Sequence, residues 1–139
     1  MKNYIFLIVL VLSVFVINSQ TINAQDKRLD SSPKNFRTFF AKFKNAVAKN
    51  DKTKVSSMTC FLFQYGFDEG DEGTLSKTRF IEKFDEFFGE SPSEFFTEKN
   101  PLFSKGDDGT YYILTENAVS LAFKKKGKSF MFIAYIVLP

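Results

Sequence analysis

Histidine is absent from the chain, and cysteine occurs once, at Cys60. Without histidine, the side chain best suited to proton transfer near neutral pH and the commonest metal ligand are both missing. A Ser-His-Asp or Cys-His catalytic site is thereby excluded. One cysteine permits no internal disulfide, so the fold must hold together through its core alone. Cys60 opens an apolar strand beside Phe61, with no basic residue close in sequence to stabilise a thiolate, and is expected to be a small buried apolar side chain. No glycine-rich phosphate loop follows a strand, which leaves nucleotide binding without support. The loop Asp68-Glu69-Gly70-Asp71-Glu72-Gly73 carries the oxygen ligands that calcium takes, but the closing acid of a twelve-residue calcium loop is lacking. No metal and no cofactor is therefore expected.

What the chain has in abundance is phenylalanine, nineteen in all and seventeen after Ala24. The first residues combine an early lysine, an apolar run from Tyr4 to Ile17 and a polar stretch ending at Ala24, the layout of a secretory signal peptide. Cleavage is expected before Gln25, with a cut near Ser19 as the alternative. The run is shorter than the ~20 residues a spanning helix needs, so no stable membrane span is expected after removal, and no cysteine follows it to take a lipid. These features predict a secreted or periplasmic protein with a signal peptide over 1–24, a flexible leader over 25–32 and a single domain over 33–139. A domain of that size buries roughly two-thirds of its unfolded surface.

Charge is near balance overall but unevenly placed. Residues 33–58 carry seven basic side chains against Asp51 alone, and residues 59–98 carry ten acidic ones against Lys77, Arg79 and Lys83. Such a distribution excludes a uniform nucleic-acid-binding face. It reads as solvated helix faces of opposite sign, or as a dipolar surface that steers a charged partner or a second copy.

Along the chain, Ser32 and Pro33 suit the start of a helix whose Phe36, Phe39, Phe40, Phe43, Ala46 and Val47 share one arc. Asn50 breaks it, and Asp51 caps a short helix carrying Val55 and Met58. Cys60–Phe67 alternates as a strand, with Phe61, Phe63, Tyr65 and Phe67 on one side. A second aromatic helix starts near Thr74–Ser76, carries Phe80, Ile81, Phe84, Phe87 and Phe88, and stops at Gly89. Ser91-Pro92-Ser93-Glu94 reads as a capping box opening a short helix with Phe95 and Phe96. Short strands follow at Leu102–Ser104 and Tyr111–Leu114.

Asn117–Leu138 then reads as a long β-hairpin turning at Lys126-Gly127. That turn pairs Phe123 with Phe130, Leu121 with Phe132, Val119 with Ala134 and Asn117 with Ile136 on a core face. The opposite face holds Met131, Ile133, Tyr135 and Val137 beside Ala118, Ser120 and Ala122.

The element order predicts an α+β fold in which a curved antiparallel sheet wraps around the N-terminal and central helices. The aromatic helix FRTFFAKFKNAVAKNDKTKVSSM, closed by Asn50-Asp51 with a short helix behind it, and the terminal hairpin resemble the nuclear-transport-factor-2-like superfamily, the cystatin-like cone fold shared with ketosteroid isomerases. The resemblance covers nearly all of the chain after the leader. It implies a conical cavity between sheet and helices, used in that superfamily by enzymes, ligand binders and interaction domains alike, so fold gives little about function.

Three readings follow. The first is an exported non-catalytic domain that binds a protein partner or forms a homodimer through Met131, Ile133, Tyr135 and Val137. The second is a carrier for a small apolar or aromatic ligand in a pocket lined by Phe63, Tyr65, Tyr112 and Tyr135. The third is a histidine-free enzyme of isomerase or dehydratase type, needing a carboxylate and a phenol inside the cone. No catalytic residue of the superfamily carries over by position.

Overall fold

The computed structural model describes residues 27–67 and 70–139. The expected signal peptide, and part of the acidic loop, lie outside the described residues. A 3-10 turn at Leu29–Ser31 leads into helices α1 (Lys34–Ala48) and α2 (Lys52–Ser57), then strands β1 (Thr59–Gly66) and β2 (Glu72–Leu75). Helices α3 (Lys77–Glu82) and α4 (Phe84–Phe88) and a 3-10 turn at Pro92–Glu94 precede β3 (Leu102–Lys105), β4 (Tyr111–Leu114), β5 (Val119–Lys126) and β6 (Ser129–Val137). The fold is α+β, as its element order predicts.

Helix α1 forms as its periodicity dictates: Phe36, Phe39, Phe40, Phe43, Ala46 and Val47 are the residues it buries. It ends at Ala48, and two residues on, Asn50 takes a left-handed φ of 54°, a conformation asparagine tolerates better than most side chains. Asp51 then accepts a hydrogen bond from the Lys54 amide at 3.0 Å and caps α2. The second aromatic helix is two: the chain turns at Lys83, separating α3 from α4, and Gly89 closes α4 with a φ of 78°. The expected capping box at Ser91 is a 3-10 turn without a side-chain cap.

The six strands make one sheet in the order β2-β1-β6-β5-β4-β3. All neighbours are antiparallel except β1 and β6, which run parallel with Tyr65 against Tyr135 and Gly66 against Ile136. The sheet is therefore mixed, where the sequence predicts an antiparallel one. Strand β2 occupies residues read from sequence as loop and helix start, because it is short and polar and pairs only once β1 is in place. The expected flexible leader is likewise tied down from Lys27: the Phe103 amide donates to the Lys27 carbonyl at 2.8 Å, the Leu29 amide donates to the Pro101 carbonyl at 2.9 Å, and Arg28 bridges Leu102. The β3 edge is covered by this contact, which leaves fewer open backbone groups for an unwanted strand.

The β5–β6 hairpin exists, but its register differs from the expected one. Its turn is Gly127-Lys128, with Gly127 at a φ of 62° in the first central position, so Lys126 pairs with Ser129 and Lys125 with Phe130. Further along, Phe123 opposes Phe132 while Ala122 opposes Ala134, leaving Ile133 as an extra residue, a β-bulge. The bulge reverses the facing of everything after it. Tyr135, 5% exposed, and Val137 pack with the core, whereas Ile136 points to the other side. Tyr135 and Val137 were expected on the open face, and Ile136, like Ala134, on the core face.

The core lies between α1–α4 and one face of the sheet. Phe43 stands at its middle, with ring centroids 5.2 Å from Phe123 and 4.9 Å from Phe132. Phe63 extends the same cluster to Phe132 at 4.7 Å and to Phe80 at 4.9 Å. Edge-on and tilted ring pairs of this kind add about 0.5–1.5 kcal/mol each beyond burial. Cys60, the second residue of β1, is half-buried, more open than expected.

Candidate binding face

The space beneath the helices, where a cone cavity would lie, is filled by side chains. Phe63, Tyr65 and Tyr135, three of the four expected pocket residues, share the helix side of the sheet, but the Phe87 ring stands among them at 5.7, 6.3 and 5.0 Å. Tyr112, the fourth, lies on the other side: it pairs with Ala122 and Ser104, between the inward residues Tyr111 and Ile113. The four do not form one pocket. Strand alternation places Tyr112 outward once Tyr111 is known to be in the core, a choice that two adjacent tyrosines leave open in sequence.

The buried polar side chains of the described residues are serines and threonines: Ser32, Ser56, Thr59, Thr110, Thr115 and Ser120. None of their buried oxygen atoms lacks a hydrogen-bond partner. The Thr59 hydroxyl, for example, donates to the Val55 carbonyl at 2.7 Å. No acid sits opposite a buried phenol, and no group of three or more Cys, Asp and Glu comes together among the described residues. Tyr135 has its phenol pushed up to about 12 by burial, which marks it as a neutral core residue. The Tyr112 phenol is also raised, first by partial burial and then by the charge of Asp108. Asp108 in turn has its carboxyl lowered, chiefly by the Thr110 amide that donates to it at 3.0 Å.

Among the described residues a groove and an open sheet face stand out. A shallow open groove of about 360 Å³ runs between α1 and the Pro92–Glu94 turn, lined by Ala41, Lys44, Asn45, Ala48, Ser93 and Phe96. Lys44 lies 5.8 Å from the centre of the Phe96 ring and partly closes it. The larger surface is the sheet face turned away from the helices. Register places Leu102, Leu114, Ser120, Ile136 and Gly66 in one row across five strands, with Ser104, Tyr112, Ala122, Ala134 and Gln64 in the next. Met131, Ile133 and Leu62 extend the apolar area. Leu62 is 69% exposed and Ile136 36%, the two large apolar residues most open to solvent among the described residues. Ala122, Ala134 and Ser120 are buried there without belonging to the core cluster, because small side chains on adjacent strands are covered by their larger neighbours.

Of the expected interface residues, Met131 and Ile133 lie on this open face, while the bulge turns Tyr135 and Val137 inward. Leu62, Leu114, Tyr112 and Ile136 belong to the face and were missed. The outward parity of Leu62 is visible in the alternation of β1; that of Ile136 is hidden by the bulge. No helix among the described residues is long and apolar enough to cross a membrane. No family model, curated protein or solved structure matches the chain.

Proposed function

We propose that this chain is an exported, non-catalytic interaction domain that works through the open face of its sheet, and that its partner on that face is a second copy of itself. One observation carries the reading: the sheet face from Leu102 to Leu62, apolar apart from Ser104, Ser120 and Gln64, has no covering element among the described residues, and Leu62 and Ile136 are exposed on it. Monomers rarely expose a patch above a few hundred Å² without a use for it. The filled interior favours an interaction domain over a carrier of small ligands. Export rests on the layout of residues 1–24, and the layering of helices over one sheet face supports a nuclear-transport-factor-2-like cone.

A flat face with bulky residues on β1 and β6 and small ones on β5 is suited to meet its own copy about a two-fold axis, bulky strand against small. Light scattering at high micromolar concentration tests it. Wild-type protein is expected to be dimeric, and Ile136→Glu monomeric, since an unpaired charge in a dry interface costs about 3–5 kcal/mol. Because Ile136 is already exposed, that variant retains its fold. A monomeric wild type removes the reading, and a dimeric Ile136→Glu moves the interface to another surface.

A further inference from the structure

The β5–β6 hairpin ends in Lys124-Lys125-Lys126-Gly127-Lys128. Strand β4 accompanies β5 only to the pair Tyr111 and Phe123, and β1 accompanies β6 only to Thr59 and Phe132. The last three pairs, Lys124 with Met131, Lys125 with Phe130 and Lys126 with Ser129, run on beyond both neighbours. The hairpin thus ends as a two-stranded finger. Phe130 fixes its base, with its ring 5.2 Å from Phe36 and 5.3 Å from Tyr111.

All four lysines of the finger are exposed, and none takes part in the ion pairs formed among the described residues. From Val119 to Val137 there is no acidic residue. Asp108 lies near enough to feel Lys124, but its carboxylate is held by Thr110. At the same end of the sheet Lys105, 5.7 Å from the centre of the Tyr111 ring, is offset by Asp107 in the turn that follows it, so the excess positive charge is that of the finger itself. At the hairpin's far end stand Glu116, in the turn before β5, and Glu72, which pairs with Gly66 beside Ile136. The field therefore runs along the hairpin with its positive pole at the tip. A tight turn requires only the glycine; four neighbouring lysines add mutual repulsion that the fold does not need.

We propose that this finger is the contact point for an anionic membrane surface and takes the phosphate headgroups of acidic phospholipids. The chemistry favours a lipid layer over a nucleic acid. Lysine ammonium groups are point charges without the planar fork that reads bases, and the finger's one aromatic ring, Phe130, is buried and offers no stacking platform. A convex tip has no cradle for a single anion, but it sets several charges at once against a flat layer whose headgroups move to meet them. The finger shares only the Lys124–Met131 pair with the open face, and Lys125, Lys126 and Lys128 lie beyond it.

Co-sedimentation of the purified protein with vesicles of equimolar phosphatidylglycerol and phosphatidylcholine tests it, with vesicles of phosphatidylcholine alone as the comparison. Binding to the acidic vesicles alone is expected, and its loss in molar salt, where screening acts within about 3 Å. Each single change of Lys124, Lys125, Lys126 or Lys128 to Gln is expected to weaken partitioning about fivefold, and all four together by more than about a hundredfold. Lys49→Gln, just past the end of α1, and Lys54→Gln, on α2, should leave it unchanged. A thermal melt of the fourfold variant checks its fold, and the single variants carry the test if it fails. Equal binding to neutral vesicles, no binding to acidic ones, full binding by the single variants, or preference for a single-stranded RNA at equal phosphate each overturns the proposal.

Discussion

On the helix side of the sheet Phe63, Phe123 and Phe132 are fully buried, whereas on the other side Leu62, next in sequence to Phe63, is 69% exposed. The two faces of one sheet are closed by different means. The inner face is sealed by rings that interlock across α1, β1, β5 and β6, so each ring has several neighbours to lose. The outer face is sealed only where Ala122, Ala134 and Ser120 lie low between strands, and its larger residues stand above them uncovered. Stability is thereby concentrated on one face, and the other is free to vary its contacts with little cost to folding. Substitutions should separate the two faces cleanly.

The largest effect is expected on the inner face. Phe43→Ala removes a ring that touches Phe123 and Phe132 and should cost about 3–5 kcal/mol in chemical denaturation. A loss below about 1 kcal/mol would break the comparison, since a ring so placed would then be holding nothing.

An intermediate effect comes from Tyr135, on the inner face. The Tyr135 phenol is pushed up to about 12 in the folded protein by burial, against about 10 in the unfolded chain. Between those two values the unfolded chain gives up the proton while the folded one keeps it. Stability from this group is therefore complete below about pH 10 and falls as pH rises from there towards 12, by about 2–3 kcal/mol. Denaturation at alkaline pH should show this fall in the wild type and a smaller one in Tyr135→Phe. An identical decline in both would place the phenol in contact with solvent.

The smallest effect belongs to the open face. Leu62→Ser, measured at dilution where the chain is monomeric, should change stability by less than about 0.5 kcal/mol. A loss of more than about 2 kcal/mol would mean that Leu62 packs against the fold, and the contrast between the faces would disappear.

Much of the inner face was legible. The stripe from Phe36 to Val47 appears in full because helical period alone selects those positions, and the outward parity of Leu62 follows from the alternation of Phe61, Phe63 and Tyr65 in sequence. The candidate open face was legible only in part. Met131 and Ile133 were found, but Ala134, Tyr135, Ile136 and Val137 were exchanged between faces, since an alternation rule carries no signal for an extra residue at Ile133. A turn with Gly127 in either central position satisfies the local chemistry, and the choice between them shifts every pair of the hairpin.

By itself the sequence determined what depends on neighbours a few residues apart: the buried arc of α1, the Asp51 cap, the end of α4 at Gly89, the hairpin's existence and the exclusion of histidine chemistry. Tertiary structure alone decided which strands pair and in what phase. The parallel contact of β1 with β6 joins Tyr65 to Tyr135, and β2 exists only as the partner of β1. The bulge at Ile133 is of the same kind: it lets Phe132 stay under Phe43 while Tyr135 reaches Phe87. Such choices are settled by filling one shared core, where distant segments compete for the same volume, and no local pattern records the outcome.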